Sequence, residues 1–354
     1  MTILVLVIQM SEEPHVLFEK RGAVGLITLN RPKALNALTH GMCLQMAMQL
    51  HAWASDDAVK CVVARGTGDR AFCAGGDIRS LYESGINKSP YALNFYRDEY
   101  VLDAAIKHYP KPYVALINGI VMGGGVGVSV HGSHRVASET TTFAMPETGI
   151  GLFPDVGGSW FLPRMQGEIG MFLALTGARL RTVDTLHAGV ATHFVPARDW
   201  EALIDDLANG MAPDKAVDRK SEDLPAGFLD QHRSSIDRAF AKESVEEILA
   251  ELDADHTDWS ADTAKTIRSK SPTSLKITFR QLREGAKLDF DECMKMEYRM
   301  VHRIVAGHDF YEGVRATIID KDGAPKWQPA ELSAVSDADV DAYFVPIGNK
   351  ELVL

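Results

Sequence analysis

Positive charge is in short supply. Against 48 Asp and Glu the chain carries 37 Lys and Arg, a formal net charge of −11, which argues against nucleic acid and against an anionic membrane surface as partners. Cysteine is scarce: the four, at positions 43, 61, 73 and 293, show neither a CxxC pair nor Cys/His ligand spacing. That excludes a disulfide scaffold and fits reduced thiols in a cytoplasmic setting. Cys73 reads as a small buried filler. No hydrophobic run reaches the ~20 residues that span a bilayer. The apolar start, residues 1–10, lacks the basic flank and cleavage site of a signal peptide and the Arg and Ser of a transit peptide. It is expected to be a frayed extension over 1–12. His131 and His134 have Gly132 between them and no third ligand nearby, so no metal site is expected. Tandem repeats and low-complexity tracts are also lacking.

What is present is alternation. Strand patterns over 15–20 and 24–30 flank a turn at Arg21-Gly22-Ala23, and a helical pattern runs over 39–53. In that helix Met42, Leu44, Met46, Met48 and Leu50 are expected as core. Strands over 60–65, 112–117 and 134–138 then alternate with helices over 91–108 and 125–131. This order argues for a parallel α/β architecture. Helices over 167–176 and 181–189 and a last strand over 190–195 follow, and from 197 onward the pattern is almost wholly helical. The polar, proline-bounded stretch 213–225 is the candidate hinge, giving a core over 13–212 and a helical C-terminal region over 213–354.

Chemistry concentrates in two glycine-bearing stretches. Gly123, Gly124 and Gly125 follow an apolar run and precede a helical segment; Gly75 and Gly76 sit between another strand and another helix. Glycine lets backbone approach a ligand closely, and amides at a helix start lack intrahelical partners. Two such turns can aim one N–H each at an oxygen that becomes negative, as a thioester carbonyl does under attack. Glycine runs also make ordinary packing turns. The run is no dinucleotide fingerprint, because Val128 stands where the third Gly of GxGxxG belongs. Glu147 and Asp155 each follow a proline within an apolar setting, and such carboxyls suit acid–base work.

Five segments carry a resemblance: NRPKALNAL (30–38), AFCAGGDIR (71–79), KPYVALINGIVMGGGVGVSVHG (111–132), FAMPETGIGLFPDVGG (143–158) and GHDFYEGVRATIIDKDGAPKWQP (307–329). Together they resemble the crotonase superfamily over nearly the whole chain, and the last two resemble its hydroxyacyl-CoA hydrolases. The resemblance implies a ββα spiral core with a helical C-terminal region. It implies hydrolysis of a short 3-hydroxyacyl-CoA, with coenzyme A as part of the substrate and no separate cofactor. It assigns the thioester oxygen to the Gly76 and Gly124 amides, with Glu147 and Asp155 catalytic. Glu99 would line the pocket, or else be a surface helix charge. Ala74, Asp77 and Ile78 would follow the CoA, with Lys33 and Ala34 along the pantetheine path. The C-terminal block, 309–315 and 321–327, would cover the CoA entrance or pack on a neighbouring subunit. Crotonases commonly form trimers, so a homo-oligomer is implied unless the extension caps those contacts. The alternative is a hydratase or isomerase of the same fold. Hydratases hold a first glutamate where this chain has Gly127, which disfavours water addition.

Overall fold

Three of the apolar runs expected as strands are each followed, after a sharp corner, by a second, shorter strand. The computed structural model describes residues 13–222 and 224–354; the expected extension over 1–12 lies outside them. Along the chain the strands are β1 (Val16–Arg21), β2 (Val24–Leu29), β3 (Cys61–Gly66), β4 (Ala71–Cys73), β5 (Tyr113–Ile117), β6 (Ile120–Met122), β7 (His134–Ala137), β8 (Thr142–Ala144), β9 (Leu180–Arg181) and β10 (His193–Phe194). The longer ones form one sheet ordered β1-β2-β3-β5-β7-β10, and the shorter ones a second ordered β4-β6-β8-β9. Apart from the β1–β2 hairpin and the β8–β9 pair, all ladders are parallel. Each turn of the chain therefore lays one strand in each sheet, then a helix or short helical turn. This is a ββα spiral, repeated in space without a repeat in sequence. The β5–β6 corner needs Gly119: its φ is +59°, and a Cβ there would lie 2.3 Å from the Arg70 carbonyl oxygen.

Both faces of the first sheet are covered, as parallel strands require. Ile27, Leu29, Val62 and Ala64 face the main core, which includes helix α1 (His40–Ala54). Val24, Leu26, Cys61 and Val63 face a second cluster with Leu203, Ile204 and Leu207. Leu26 is 2% exposed, so Leu26→Ala would cost about 2–5 kcal/mol. The expected hinge begins inside this layer. Residues Pro213–Asp218 form a short helix whose Ala216 and Val217 are fully buried against the sheet.

Helix α1 begins where expected, with the Thr39 hydroxyl accepting from the Met42 amide at 3.3 Å. Met42, Met46 and Leu50 are buried, but Leu44 and Met48 are not core: Met48 is 73% exposed. At 3.6 residues per turn both fall roughly 160–200° round the helix from Met46. Helices α2 (Ile78–Ile86), α3 (Tyr91–Lys107) and α4 (Gly124–Val130) complete the first turns of the spiral. The C-terminal region is helical as expected, its starts capped by Thr257 and Ser271, which accept from the Ser260 and Ser274 amides. Two of its helices, Pro272–Gly285 and Phe290–Ile304, pack against the spiral beside the site.

Candidate active site

Three neighbouring parallel strands of the second sheet, β4, β6 and β8, end at one place, and ligands gather at the carboxyl ends of such strands. Beyond β4 lie Gly75 and Gly76, beyond β6 Gly123 and Gly124, and beyond β8 the Pro146-Glu147 step. Gly75 and Gly123 adopt φ of +112° and +47°. The turns touch: an ideal Cβ on Gly75 would lie 3.8 Å from the Gly124 nitrogen, and one on Gly123 3.4 Å from Glu147 Oε1. Ladder bonds fix the first turn, with the Leu38 amide donating to Gly75 O and the Asp77 amide to Leu38 O, both at 2.8 Å. The Gly76 and Gly124 amides are left without an acceptor among the described residues.

These turns line a cavity of about 540 Å³ that also takes in Glu99, Glu147 and Asp155. The three carboxyls are 2%, 4% and 3% exposed. Among the described residues Glu99 Oε1 and Glu147 Oε2 have no hydrogen-bond partner, whereas Asp155 Oδ2 accepts from the Tyr100 hydroxyl at 2.9 Å. Burial pushes the Glu99 and Glu147 carboxyls well above their usual range, and the charge of Asp155 adds to both. Asp155 is pushed up to about 7 by burial, with the Tyr100 bond holding it down. Like charges in a dry cavity cannot all ionise together, and the Tyr100 bond favours the ionised form of Asp155.

The structure thus brings together Gly76, Gly124, Glu147, Asp155, Glu99, Ala74 and Ile78, all on the cavity wall. Glu99 is no surface charge: a Cβ on Gly124 would fall 2.2 Å from its Oε1. Lys33, Ala34 and Asp77 are not on this wall. Lys33 and Ala34 lie exposed on the turn Pro32–Ala34. Asp77 caps α2 through the Ser80 amide and pairs with Arg31 at 3.0 Å, so its carboxylate is already engaged. Of the C-terminal block, the helix Asp309–Val314 packs on the Glu147–Ile150 turn. The residues that reach the cavity are Thr317 and Ile318, in the wide turn Arg315–Ile319 between the two expected segments.

Sequence reasoning missed Tyr96, Tyr100 and Asp103, which share α3 with Glu99. Their spacing, i, i+3, i+4 and i+7, is that of a buried helical face, and that was the available signal. It also missed Arg179 and Lys270, cations on the cavity wall. Asp103 is fully buried, and neither of its oxygens has a partner among the described residues. A Cβ on Gly127 would lie 2.6 Å from its Oδ1. A side chain at position 127, including the carboxylate that the resemblance to hydratases would call for, would therefore have to displace the Asp103 carboxyl.

Known proteins resemble this chain. The profile of the enoyl-CoA hydratase/isomerase family matches residues 24–344. A curated protein of Danio rerio, named 3-hydroxyisobutyryl-CoA hydrolase, mitochondrial, is 50% identical over 350 residues, covering 96% of this chain and 92% of its own length. Two solved structures align over 96% of the chain. One, a carnitinyl-CoA dehydratase from Mycobacterium thermoresistibile, has TM-score 0.92 and 42% identity over 99% of its length. The other, an enoyl-CoA hydratase from Rhodobacter sphaeroides 2.4.1, has TM-score 0.91 and 40% identity over 100% of its length.

Proposed function

The chain belongs to the enoyl-CoA hydratase/isomerase family, and from that premise we propose that it is an acyl-CoA thioester hydrolase. Its substrate is 3-hydroxyisobutyryl-CoA, cleaved to 3-hydroxyisobutyrate and CoA, a step of valine catabolism. The observation that carries this reading is the pair of unpartnered amides, Gly76 and Gly124, set beside Glu147 on the cavity wall, with the Asp103 carboxyl packed against position 127. The identity to the fish hydrolase supports it.

In this reading the thioester carbonyl oxygen sits between the two amides, which hold the oxyanion of the tetrahedral intermediate. Glu147 acts in its ionised form by one of two routes. It removes a proton from water as the water oxygen adds to the carbonyl carbon, and the C–S bond then breaks to release CoA. Otherwise its own oxygen attacks, the thiolate leaves, and water cleaves the resulting anhydride. Asp155, held by Tyr100, accepts from the 3-hydroxyl of the substrate or orients the water. A site built to bond a hydroxyl rejects an analogue without it. Arg179 and Lys270 meet the phosphates of CoA. The four cysteines are free and buried, as in a reducing compartment. The fish protein is named as mitochondrial, which does not support the cytoplasmic expectation. Among the described residues no helix is long and apolar enough to cross a membrane.

Hydration is the second reading, and one observation favours it. Glu99 brings a carboxyl to the edge of Gly124 from another helix, so closing position 127 does not by itself remove a second acid from the cavity. The solved neighbours at 40–42% identity are named dehydratase and hydratase. The test of the hydrolase reading is thiol release by wild type and Glu147→Gln from 3-hydroxyisobutyryl-CoA and from isobutyryl-CoA. It expects release from the first substrate, far less from the second, and none in the variant. Undiminished release by Glu147→Gln would overturn it.

A further inference from the structure

Asp155 sits in a loop that its own sequence does little to stabilise. Val156 adopts a φ of +51°, in the left-handed region that β-branched residues rarely enter, and Gly157 follows at +84°. Side chains from elsewhere hold this backbone in place. Glu297, fully buried on the helix Phe290–Ile304, accepts at Oε2 from the Gly157 amide and at Oε1 from the Ser159 amide, both at 2.9 Å. The Ser159 hydroxyl donates to the same Oε1. Gln281, fully buried on the helix Pro272–Gly285, donates from Nε2 to the Pro154 carbonyl at 2.7 Å. His131 Nε2 lies 2.8 Å from the Val156 carbonyl; a carbonyl only accepts, so that nitrogen carries the proton.

We propose that Glu297 is the positioning residue for Asp155, setting its carboxylate through the Gly157 and Ser159 amides of the same loop. The proposal rests on the catalytic reading of Asp155. Taking a carboxyl fully out of water is costly unless donors replace the water, and all three donors here belong to the one loop. Asp155 Oδ2 also receives the Tyr100 hydroxyl, and the Tyr100 ring packs edge-on against Tyr298, with centroids 6.3 Å apart. Tyr298 is the residue after Glu297. One turn of a C-terminal helix thus reaches Asp155 both through its backbone and through its hydrogen-bond donor. In this light the C-terminal helices are more than a cover for the CoA: they form part of the mould for a catalytic loop of the spiral. Glu297→Gln keeps the shape but turns an NH2 group toward a backbone N–H, which breaks one of the two amide bonds.

The experiment is a double-mutant cycle on thiol release, with folding checked by melting temperature and circular dichroism. Misplacement of a reacting group by about an ångström can cost ~10²-fold. Glu297→Gln is therefore expected to lower kcat by about 10- to 100-fold with KM changed less than about twofold. In an Asp155→Asn background the same change is expected to cost less than about threefold, because its target is already gone. Equal losses in both backgrounds, or wild-type kcat in Glu297→Gln, would overturn the proposal. Should Glu297→Gln fail to fold, Ser159→Ala removes only the hydroxyl bond. Its loss of about 3- to 10-fold is expected to vanish in Asp155→Asn, and an undiminished loss there contradicts the proposal. Wild-type turnover by Asp155→Asn alone would instead sink the catalytic reading of Asp155, and the positioning role with it.

Discussion

The wall that the spiral gives to the cavity differs from the wall made by α3 and the C-terminal helices. On the spiral side the polar groups are mostly backbone: amides at the ends of β4 and β6, with Glu147 just beyond β8. Their placement follows from strand register, and a short local motif specifies each turn. On the helical side the polar groups in and behind the wall are side chains, Tyr96, Glu99, Tyr100, Asp103, Gln281 and Glu297, and all six are buried. They balance one another across long sequence distances. Chemistry resting on register tolerates change in neighbouring side chains. Chemistry resting on a buried carboxyl network is tuned by each member's charge, because the dry surroundings screen little.

Breaking the spiral wall is expected to have the largest effect. Gly124→Ala places a methyl where Glu99 Oε1 now lies, which displaces the amide or the carboxyl. Loss of one oxyanion donor costs ~10²–10³ in kcat, and steady-state thiol release on folded protein measures it. A near-wild-type rate would mean that this amide does not hold the oxyanion.

Changes among the buried carboxyls, where the two walls meet, shift pH behaviour. The proposed mechanism has Glu147 act ionised, and burial together with Asp155 raises its pKa. The acid limb of kcat/KM is therefore expected above the ordinary glutamate range. Asp155→Asn removes a neighbouring negative charge, so the limb moves to lower pH even as the rate falls; a pH–rate profile of the two proteins reads this directly. Glu99 offers a gentler probe. Its folded pKa lies above the ordinary 4.5, so the unfolded chain loses its proton first and stability falls as pH rises past that value. Glu99→Gln removes this loss. Its melting temperature is expected to exceed that of wild type by roughly 1–4 °C at pH 8 and by less at pH 5.

The smallest effect is expected at the rim, where neither wall reacts. Arg179→Ala and Lys270→Ala should raise KM for the CoA thioester by about 3- to 10-fold, the worth of a partly exposed charge contact. The same variants should treat the matching N-acetylcysteamine thioester, which has no phosphates, as wild type does. Parallel KM changes on both thioesters would place these cations elsewhere in the reaction.

How far the sequence could be read follows the same division. Gly76, Gly124, Glu147 and Asp155 each stand in a contiguous run, and all four meet at the cavity. The second sheet was harder to see, since β4, β6 and β8 are three residues each, too short for a period to register. Met48 was misread because a methionine at helical spacing suggests core whichever face it is on. Asp103 and Glu297 were invisible in character: a charged residue in a helix reads as solvated unless its partners are known, and those of Glu297 lie 138 and 140 positions away. Lys33 and Asp77, which the resemblance placed along the CoA, lie off the wall of this cavity.

The central claim is hydrolysis in preference to hydration. One preparation should be assayed side by side for CoA thiol release from 3-hydroxyisobutyryl-CoA and for hydration of crotonyl-CoA. Thiol release without hydration, abolished by Glu147→Gln, is the expected result. Hydration without thiol release would contradict the claim and point to Glu99 as the second acid of a hydratase.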